Sequence, residues 1–322
     1  MVANCFQIDD ALKLTPVAID KVTETLERAG ATLWLDLLDF TPDELEQWLD
    51  KLGVEDIERQ LCLEGRNRAG FYPLKRVLFF VIPVLVNNGG TDEVDYVALL
   101  CKENLLLTMH RKEVLHPERL SVLDAADAWL PEPTIAGLVS ALMIGQSLDC
   151  LRRSGDLRDA VTALEHRMVR DPDSVEAEEI LEQRSDLVTL GSLVSDQLPS
   201  AQALSKADKP FFRLGDEREY IDCALTNLRA ADESLTWLDQ RIGALLSAFQ
   251  MNAQDQTNRR LNMLTILSAI FMPVTLLASI WGMNFEVMPE LKFPFAYPLA
   301  LGFMVAVGTG MYLYFRRTGW LD

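Results

Sequence analysis

Residues 261–284 read LNMLTILSAIFMPVTLLASIWGMN, and the fold turns on where this stretch goes. From Leu261 to Trp281 it carries no charged side chain. As a helix rising 1.5 Å per residue it reaches roughly 32 Å, enough to cross a hydrocarbon core about 30 Å thick. Asn262, Thr265, Ser268, Thr275 and Ser279 interrupt its apolar character, and it closes on Gly282-Met283-Asn284.

A second charge-free run, Pro294 to Phe315, follows after a short connection. Arg259 and Arg260 precede the first run, and Arg316 and Arg317 follow the second. With two spans, both arginine pairs lie on one side, which the positive-inside rule makes the cytoplasm. The expected topology is spans at about 261–281 and 294–315, an external loop at 282–293 holding Glu286 and Glu290, and both termini cytoplasmic. A buried soluble hairpin is the other arrangement for two such runs, but it leaves the matching arginine flanks without a reason.

Charge separates the rest of the chain from this tail. The net charge is −18, while residues 256–322 carry five basic against three acidic side chains. Almost all the acidity therefore lies upstream. That argues against a nucleic-acid partner and fits a domain whose summed field attracts cations. The five cysteines, Cys5, Cys62, Cys101, Cys150 and Cys223, include no CxxC pair, as expected in a reducing compartment. The opening MVANCFQIDDA has no basic segment leading an apolar one, so no signal peptide is expected.

Residues 1–116 read as mixed α and β. Ala31–Asp39 and Arg76–Val86 are apolar runs of strand character, the second broken by Pro83 and hence placed near a sheet edge. Val94–Cys101 and Asn104–His110 read as two strands joined at Lys102-Glu103. Thr41-Pro42-Asp43-Glu44 is a capping box that starts a helix, with Gly53 as its stop. Helical composition then covers 118–130, about 134–170 and about 174–206, the last with an acidic face. The longest helix is expected from Asp216 to Trp281. Its heptad seam places Ile221, Leu228, Leu235, Ile242 and Phe249 at a, and Ala224, Ala231, Leu238, Leu245 and Asn252 at d. Such a seam packs on copies of itself or on neighbouring elements. It turns polar at Gln256 and Arg259, just ahead of the first span, as a water-filled mouth would require.

Gly282-Met283-Asn284 continued by Phe285-Glu286-Val287-Met288-Pro289-Glu290-Leu291 resembles the signature of the CorA divalent-cation transporters, the two-span GxN superfamily. Tyr297-Pro298, the closing Arg-Arg-Thr-Gly-Trp-Leu and the LTI and IFMPVT blocks at 264–266 and 270–275 extend the match. Trp34-Leu35-Asp36 and Leu107-Thr108-Met109-His110 match more loosely. The resemblance implies a funnel-shaped homopentamer: an α/β/α-sandwich cytoplasmic domain (1–215), a stalk helix (216–260) and a two-helix transmembrane domain (261–322). The long helix would line the pore, with Gly282, Met283 and Asn284 as its external filter. By motif matching the pore-facing set is Asn258, Leu264, Ser268, Met272, Thr275 and Asn284. The 4, 4 and 3 spacing from Leu264 to Thr275 is, independently, one stripe of a helix.

The chemistry agrees with that implication. Mg²⁺ sheds water reluctantly and takes oxygen ligands, so neutral amide and carbonyl oxygens around Asn284 suit the hydrated ion and release it readily. Gly282 is expected to permit the backbone turn that ends the helix. Leu264 and Met272 would form apolar constrictions. No Asp, Glu, His or Cys lies in the first span, where coordination of bare Zn²⁺ or proton coupling would need one. Pro273 reads as a tolerated break, and Gly302, Gly308 and Gly310 as close helix contacts. The family's regulatory carboxylates align with Val86 and Cys223, neither a good Mg²⁺ ligand. Glu93 and Asp222 are the near substitutes, so a sensing site is expected to be shifted, diffuse or absent. His110, His116 and His166 have no ligand spacing, and no phosphate loop or nucleophile constellation stands out. The expected function is therefore non-enzymatic: an inner-membrane Mg²⁺ channel or transporter, open to Co²⁺ and Ni²⁺, with no organic cofactor. A Zn²⁺ transporter and a non-conducting membrane-anchored sensor or scaffold are the competing readings.

Overall fold

Three apolar stretches become the middle of one sheet because both of their faces find cover. The computed structural model describes residues 1–8, 14–28, 30–88, 91–112, 133–283 and 294–320. The strands of the sheet are β1 (Val2–Ile8), β2 (Leu14–Pro16), β3 (Thr32–Leu38), β4 (Gly70–Pro73), β5 (Leu78–Asn88), β6 (Thr91–Lys102) and β7 (Leu105–His110). They lie in the order β2-β1-β3-β7-β6-β5-β4. Among the described residues only β3 and β7 pair parallel, with Leu33 opposite Leu105 and Asp36 opposite Thr108; the other pairs in this sheet are antiparallel. All six positions of β7 are buried, as a strand covered on both faces requires.

Alternation sends the two halves of each strand to different layers. Leu33, Leu35 and Leu37 of β3, with Leu105, Leu107 and Met109 of β7, pack with Phe79, Val81, Ala98 and Leu100. This face is covered by Leu45, Trp48 and Leu49 of α2 (Pro42–Lys51) and Cys62 of α3 (Asp56–Glu64). A short α1 (Val22–Leu26) adds Val22. Helix α2 starts as its sequence predicts: the Thr41 hydroxyl accepts from Glu44 N at 3.3 Å, and Glu44 accepts from Thr41 N at 2.8 Å. It stops at Gly53, whose φ of +60° lies in the left-handed region.

The opposite face carries α4 (Ile135–Arg170) and α5 (Ala177–Ser205). Gln197 of α5, fully buried, donates to the Pro83 carbonyl at 2.7 Å. In an antiparallel strand a residue's N and O point to the same side, so Pro83 turns its missing N–H to the side away from β6. There β4 pairs only as far as Val81, and no strand needs the donor. The expected edge position of Pro83 is thus a local edge inside the sheet. The helix predicted over 118–130 lies outside the described residues. A two-residue ladder, β8 (Asp208–Lys209) with β9 (Phe212–Arg213), precedes the long α6 (Glu217–Trp281).

The chain divides into two compact units, Met1–Leu245 and Leu246–Asp322, and α6 contributes to both. In the first unit the heptad seam is consumed within the chain. Ile221, Ala224, Leu228, Ala231, Leu235, Leu238, Ile242 and Leu245 are all at most 5% exposed. Three contacts tie this part of α6 to α4 and its cap. Thr134 donates to Glu217 at 3.0 Å, Asn227 to Ser147 at 3.2 Å, and Arg241 to Glu165 at 2.8 Å. Both residue numbers rise together along these contacts, so the two helices run in the same direction. Glu217, 1% exposed, also accepts from Gly215 N at 2.8 Å.

Cys5, Cys62, Cys101 and Cys150 are free and buried, and Cys223 is exposed. Burial pushes the Cys5 thiol up to about 11 and those of Cys62 and Cys150 to about 12, leaving these thiols protonated and inert.

Among the described residues, three helices are long and apolar enough to span a membrane. The apolar window of α4 is 67% buried, which makes it a layer of the sandwich. Those of α6 and of α7 (Ala296–Arg317) are 6% and 0% buried and lie in the second unit.

Candidate functional site

Within the second unit, α6 has two unlike faces. Ile266 is 5% exposed, and Ala269, Ile270, Pro273, Val274 and Leu277 are half-buried above it. Helix α7 supplies the cover. At Gly308 an added Cβ would sit 3.9 Å from Cγ2 of both Ile270 and Val274. That is an ordinary contact, so Gly308 marks where the helices meet. Gly302 and Gly310 have nothing within 4 Å of the corresponding point. Within the described residues of this chain, Gly308 is the one of these three glycines with a helix contact.

The opposite face is open. Leu264 is 61% and Met272 72% exposed, and Ser268 and Thr275 are exposed between and above them. At 100° per residue this stripe points about 180° from the face that runs from Ile266 to Leu277. Four apolar or weakly polar side chains are therefore left without a neighbour on the side of α6 that α7 does not use. Thr265, off the stripe, returns its hydroxyl to the Leu261 carbonyl at 2.8 Å. Neither Ser268 nor Thr275 does so; among the described residues both hydroxyls have no partner. They are available to water or to an ion's hydration shell. Below Leu264 on the same helix, Asn258 is exposed and its amide oxygen accepts from Gln254 Nε2 at 3.1 Å.

At the upper end, Gly282 N donates to the Ala278 carbonyl at 3.0 Å, and Met283 N to that of Ile280 at 3.3 Å. The turn at Gly282 is not one that only glycine adopts, because its φ is not positive. Its role is room: a Cβ would lie 3.2 Å from the Ala278 carbonyl oxygen. Met283 is 49% exposed. Asn284, Glu286 and Glu290 lie outside the described residues. Pro273 sits inside α6 without ending it, as a spanning helix tolerates.

The proposed sensing residues are not drawn into a cage. Glu93 faces Val86 across the β5–β6 ladder and forms an ion pair with Lys112. Asp222 is exposed near the start of α6, and its carbonyl accepts from the Thr226 hydroxyl at 2.8 Å. Among the described residues no group of three or more His, Cys, Asp and Glu side chains could hold a metal.

One buried polar cluster went unrecognised in the sequence. Trp34 Nε1 donates to Thr108 Oγ1 at 3.0 Å, and Thr108 donates on to Asp36 Oδ1. His110 Nε2 meets the same oxygen at 2.8 Å, while His110 Nδ1 meets the Lys112 carbonyl at 2.6 Å. Both ring nitrogens face acceptors, an arrangement that favours the doubly protonated ring. Burial is the largest single influence on His110 and pulls its pKa down. The Asp36 hydrogen bond and charge, the Lys112 carbonyl and the Asp95 charge together outweigh it and leave the pKa raised. The available signal was spacing: Trp34 and Asp36, like Thr108 and His110, are two apart on strands and so share a face.

The family described as CorA-like Mg²⁺ transporter protein matches residues 29–317. A magnesium transport protein CorA of Salmonella typhimurium is 36% identical over 327 residues, covering 99% of each chain. Its namesake from Mannheimia succiniciproducens is 36% identical over 129 residues, and this chain spans only 40% of that protein's length. Among solved structures, the complete CorA magnesium transporter of Methanocaldococcus jannaschii aligns over 99% of both chains with a TM-score of 0.81 at 18% identity. The cytoplasmic domain of ZntB from Vibrio parahaemolyticus aligns over 78% of this chain and 98% of its own, with a TM-score of 0.61 at 12% identity. These two likenesses are of fold. With the match over residues 29–317 and a relative aligned along nearly its whole length, the chain belongs to the CorA-like Mg²⁺ transporter family.

Proposed function

We propose that this chain forms a homopentameric channel that conducts Mg²⁺, with Co²⁺ and Ni²⁺ as further permeant ions, across the inner membrane down the membrane potential. Residues 261–322 form its two-span membrane domain, residues 216–260 its stalk, and both termini lie in the cytoplasm. One observation carries the reading: Leu264, Ser268, Met272 and Thr275 stand open on the face of α6 turned from α7. In a ring of copies this face meets the axis, and α7 forms the outer layer. Ser268 and Thr275 then offer hydroxyls to a hydrated ion. Leu264 and Met272 form narrow apolar rings that lose their water when they close.

Asn284, directly after Gly282-Met283, supplies the outer ring of amide oxygens. Neutral oxygen donors suit an ion that keeps its water. Glu286 and Glu290 in the external loop raise the local concentration of cations before they reach the filter. Regulation by bound Mg²⁺, if carried by Glu93 and Asp222, requires Glu93 to exchange Lys112 for the ion. Flux of Mg²⁺ and of Zn²⁺ into proteoliposomes, for wild type and Asn284→Ala, tests the reading. We expect Mg²⁺ uptake in wild type and a large loss in the variant. Zn²⁺ uptake without Mg²⁺ uptake would show a zinc transporter. No uptake of either ion would show a non-conducting scaffold, and equal uptake by wild type and variant would remove the filter from Asn284.

A further inference from the structure

Four arginines that flank the two apolar helical runs find no counter-charge among the described residues. Arg259 and Arg260 on α6 and Arg316 and Arg317 at the end of α7 are all exposed. None of them forms an ion pair or hydrogen bond among those residues. Several arginines elsewhere, such as Arg152, Arg153, Arg167 and Arg241, are paired with carboxylates, while others, such as Arg170 and Arg184, are not. What sets these four apart is that they stand together beside aromatic rings at the ends of two apolar helical runs. Asp255 stands one turn before Arg259 and still makes no ion pair with it. The positive-inside rule accounts for the side on which these arginines lie; it does not account for four unpaired guanidinium groups at one level.

That they share a level follows from the helix contact, and this step rests on the two-span topology proposed above. Gly308 lies against Ile270 and Val274. With α7 returning toward the side where α6 entered, Arg316 and Arg317 come within about 6 Å in height of Arg259 and Arg260. On α6, Arg259 continues the face that Ile266, Ile270 and Val274 turn to α7, and so lies off the water-filled mouth expected for it from the heptad seam.

The same end of α7 is aromatic. Tyr312, Tyr314 and Trp320 are 46%, 64% and 51% exposed. Gly319, at φ +73°, lets Trp320 N reach the Phe315 carbonyl at 3.2 Å. This helix-ending turn lays the Trp320 ring 6.0 Å from Phe315, which in turn lies 5.7 Å from Tyr314. Exposed Tyr and Trp rings beside cations are what a membrane–water boundary favours.

We propose that Arg259, Arg260, Arg316 and Arg317 form a binding site for the phosphate of an anionic phospholipid headgroup in the cytoplasmic leaflet, with Trp320 and Tyr314 seating the glycerol and upper acyl region. Guanidinium groups pair with phosphate oxygens in a two-pronged fashion, and basic pockets between spanning helices on this side of a membrane take such headgroups. The lipid supplies the negative charge that the described residues do not. A free phosphate would satisfy the arginines but would leave the aromatic rings without an occupant.

The test is native mass spectrometry of the full-length protein in detergent, given phosphatidylglycerol or phosphatidylcholine of the same chain length. Wild type should retain phosphatidylglycerol several-fold better than phosphatidylcholine. Arg316→Gln with Arg317→Gln, which leaves the pair ahead of the first span intact for insertion, should cut that preference at least by half. The Arg316→Lys, Arg317→Lys variant should recover part of it, since the charge returns without the fork. Equal retention of the two lipids, or a preference untouched in the Gln variant, would overturn the site while leaving the spans in place. Loss of the preference in excess inorganic phosphate would reassign the arginines to free phosphate. Failure to retain either lipid would count against the spanning helices themselves. Mg²⁺ flux through the Gln variant, read separately, tells a failed lipid site from a failed channel.

Discussion

His110 Nε2 lies 2.8 Å from Asp36 Oδ1, with the two side chains 1% and 4% exposed. A polar pair so deeply buried is held by its other bonds, from Thr108 to Asp36 and from His110 to the Lys112 carbonyl. It joins the parallel strands β3 and β7 across 74 positions of chain.

This pair makes stability depend on pH. The folded pKa of His110 is raised, so folding binds a proton and its stabilisation is complete below the unfolded value of about 6.5. It is lost as pH rises through the folded pKa, above that value. The thermal midpoint of wild type should therefore fall over this upper range, while that of His110→Gln stays level there. Asp36→Asn, which removes the partner of the protonated ring, should cost about 3–5 kcal/mol below about pH 6.5. Parallel wild-type and His110→Gln profiles would remove the pair from the pH response.

Gln197 is the polar tie between α5 and the sheet. Replacing it with Leu keeps the volume but leaves the Pro83 carbonyl without its donor at 2.7 Å. Unfolding in denaturant should show a loss of about 1–3 kcal/mol. A neutral result would mean that water reaches this carbonyl.

The proposed pore face can be read by cysteine accessibility in a Cys223→Ser background, the other four cysteines being buried. Ser268→Cys and Met272→Cys should react with a water-soluble thiol reagent, and blocking them should stop Mg²⁺ flux. Ile266→Cys, 5% exposed in the parent, should resist. Reaction at Ile266→Cys with protection at Ser268→Cys would reverse the faces of α6.

Gly282→Ala tests whether the end of α6 needs room. Its new Cβ would meet the Ala278 carbonyl oxygen at 3.2 Å, whereas at Gly310 there is nothing within 4 Å. Overpacking of this kind costs about 1–3 kcal/mol, here by shifting the turn that leads to Asn284. Mg²⁺ flux should fall in Gly282→Ala and be preserved in Gly310→Ala. Matching flux in both would assign Gly282 no steric role.

Local features were legible from the chain alone because their causes are local. The capping box at Thr41 and Glu44, the stop at Gly53, the apolar strands and the two charge-free runs each follow from neighbours within a few residues. The stripe from Leu264 to Thr275 was legible as periodicity, and the family from the motif around Gly282. Pairings across long stretches of chain were not. Nothing near Asp36 in sequence announces His110; the two meet because β3 and β7 pair in parallel at a register that puts Leu38 opposite His110. The heptad seam of α6 was written for some apolar partner, and only packing showed that α4 of the same chain covers it. Likewise the sequence could list the polar residues of the first span, but the contact of Gly308 with Ile270 and Val274 decides which of its faces stays open. Periodicity specifies that a helix has two faces; what each face meets depends on elements brought there by the rest of the fold.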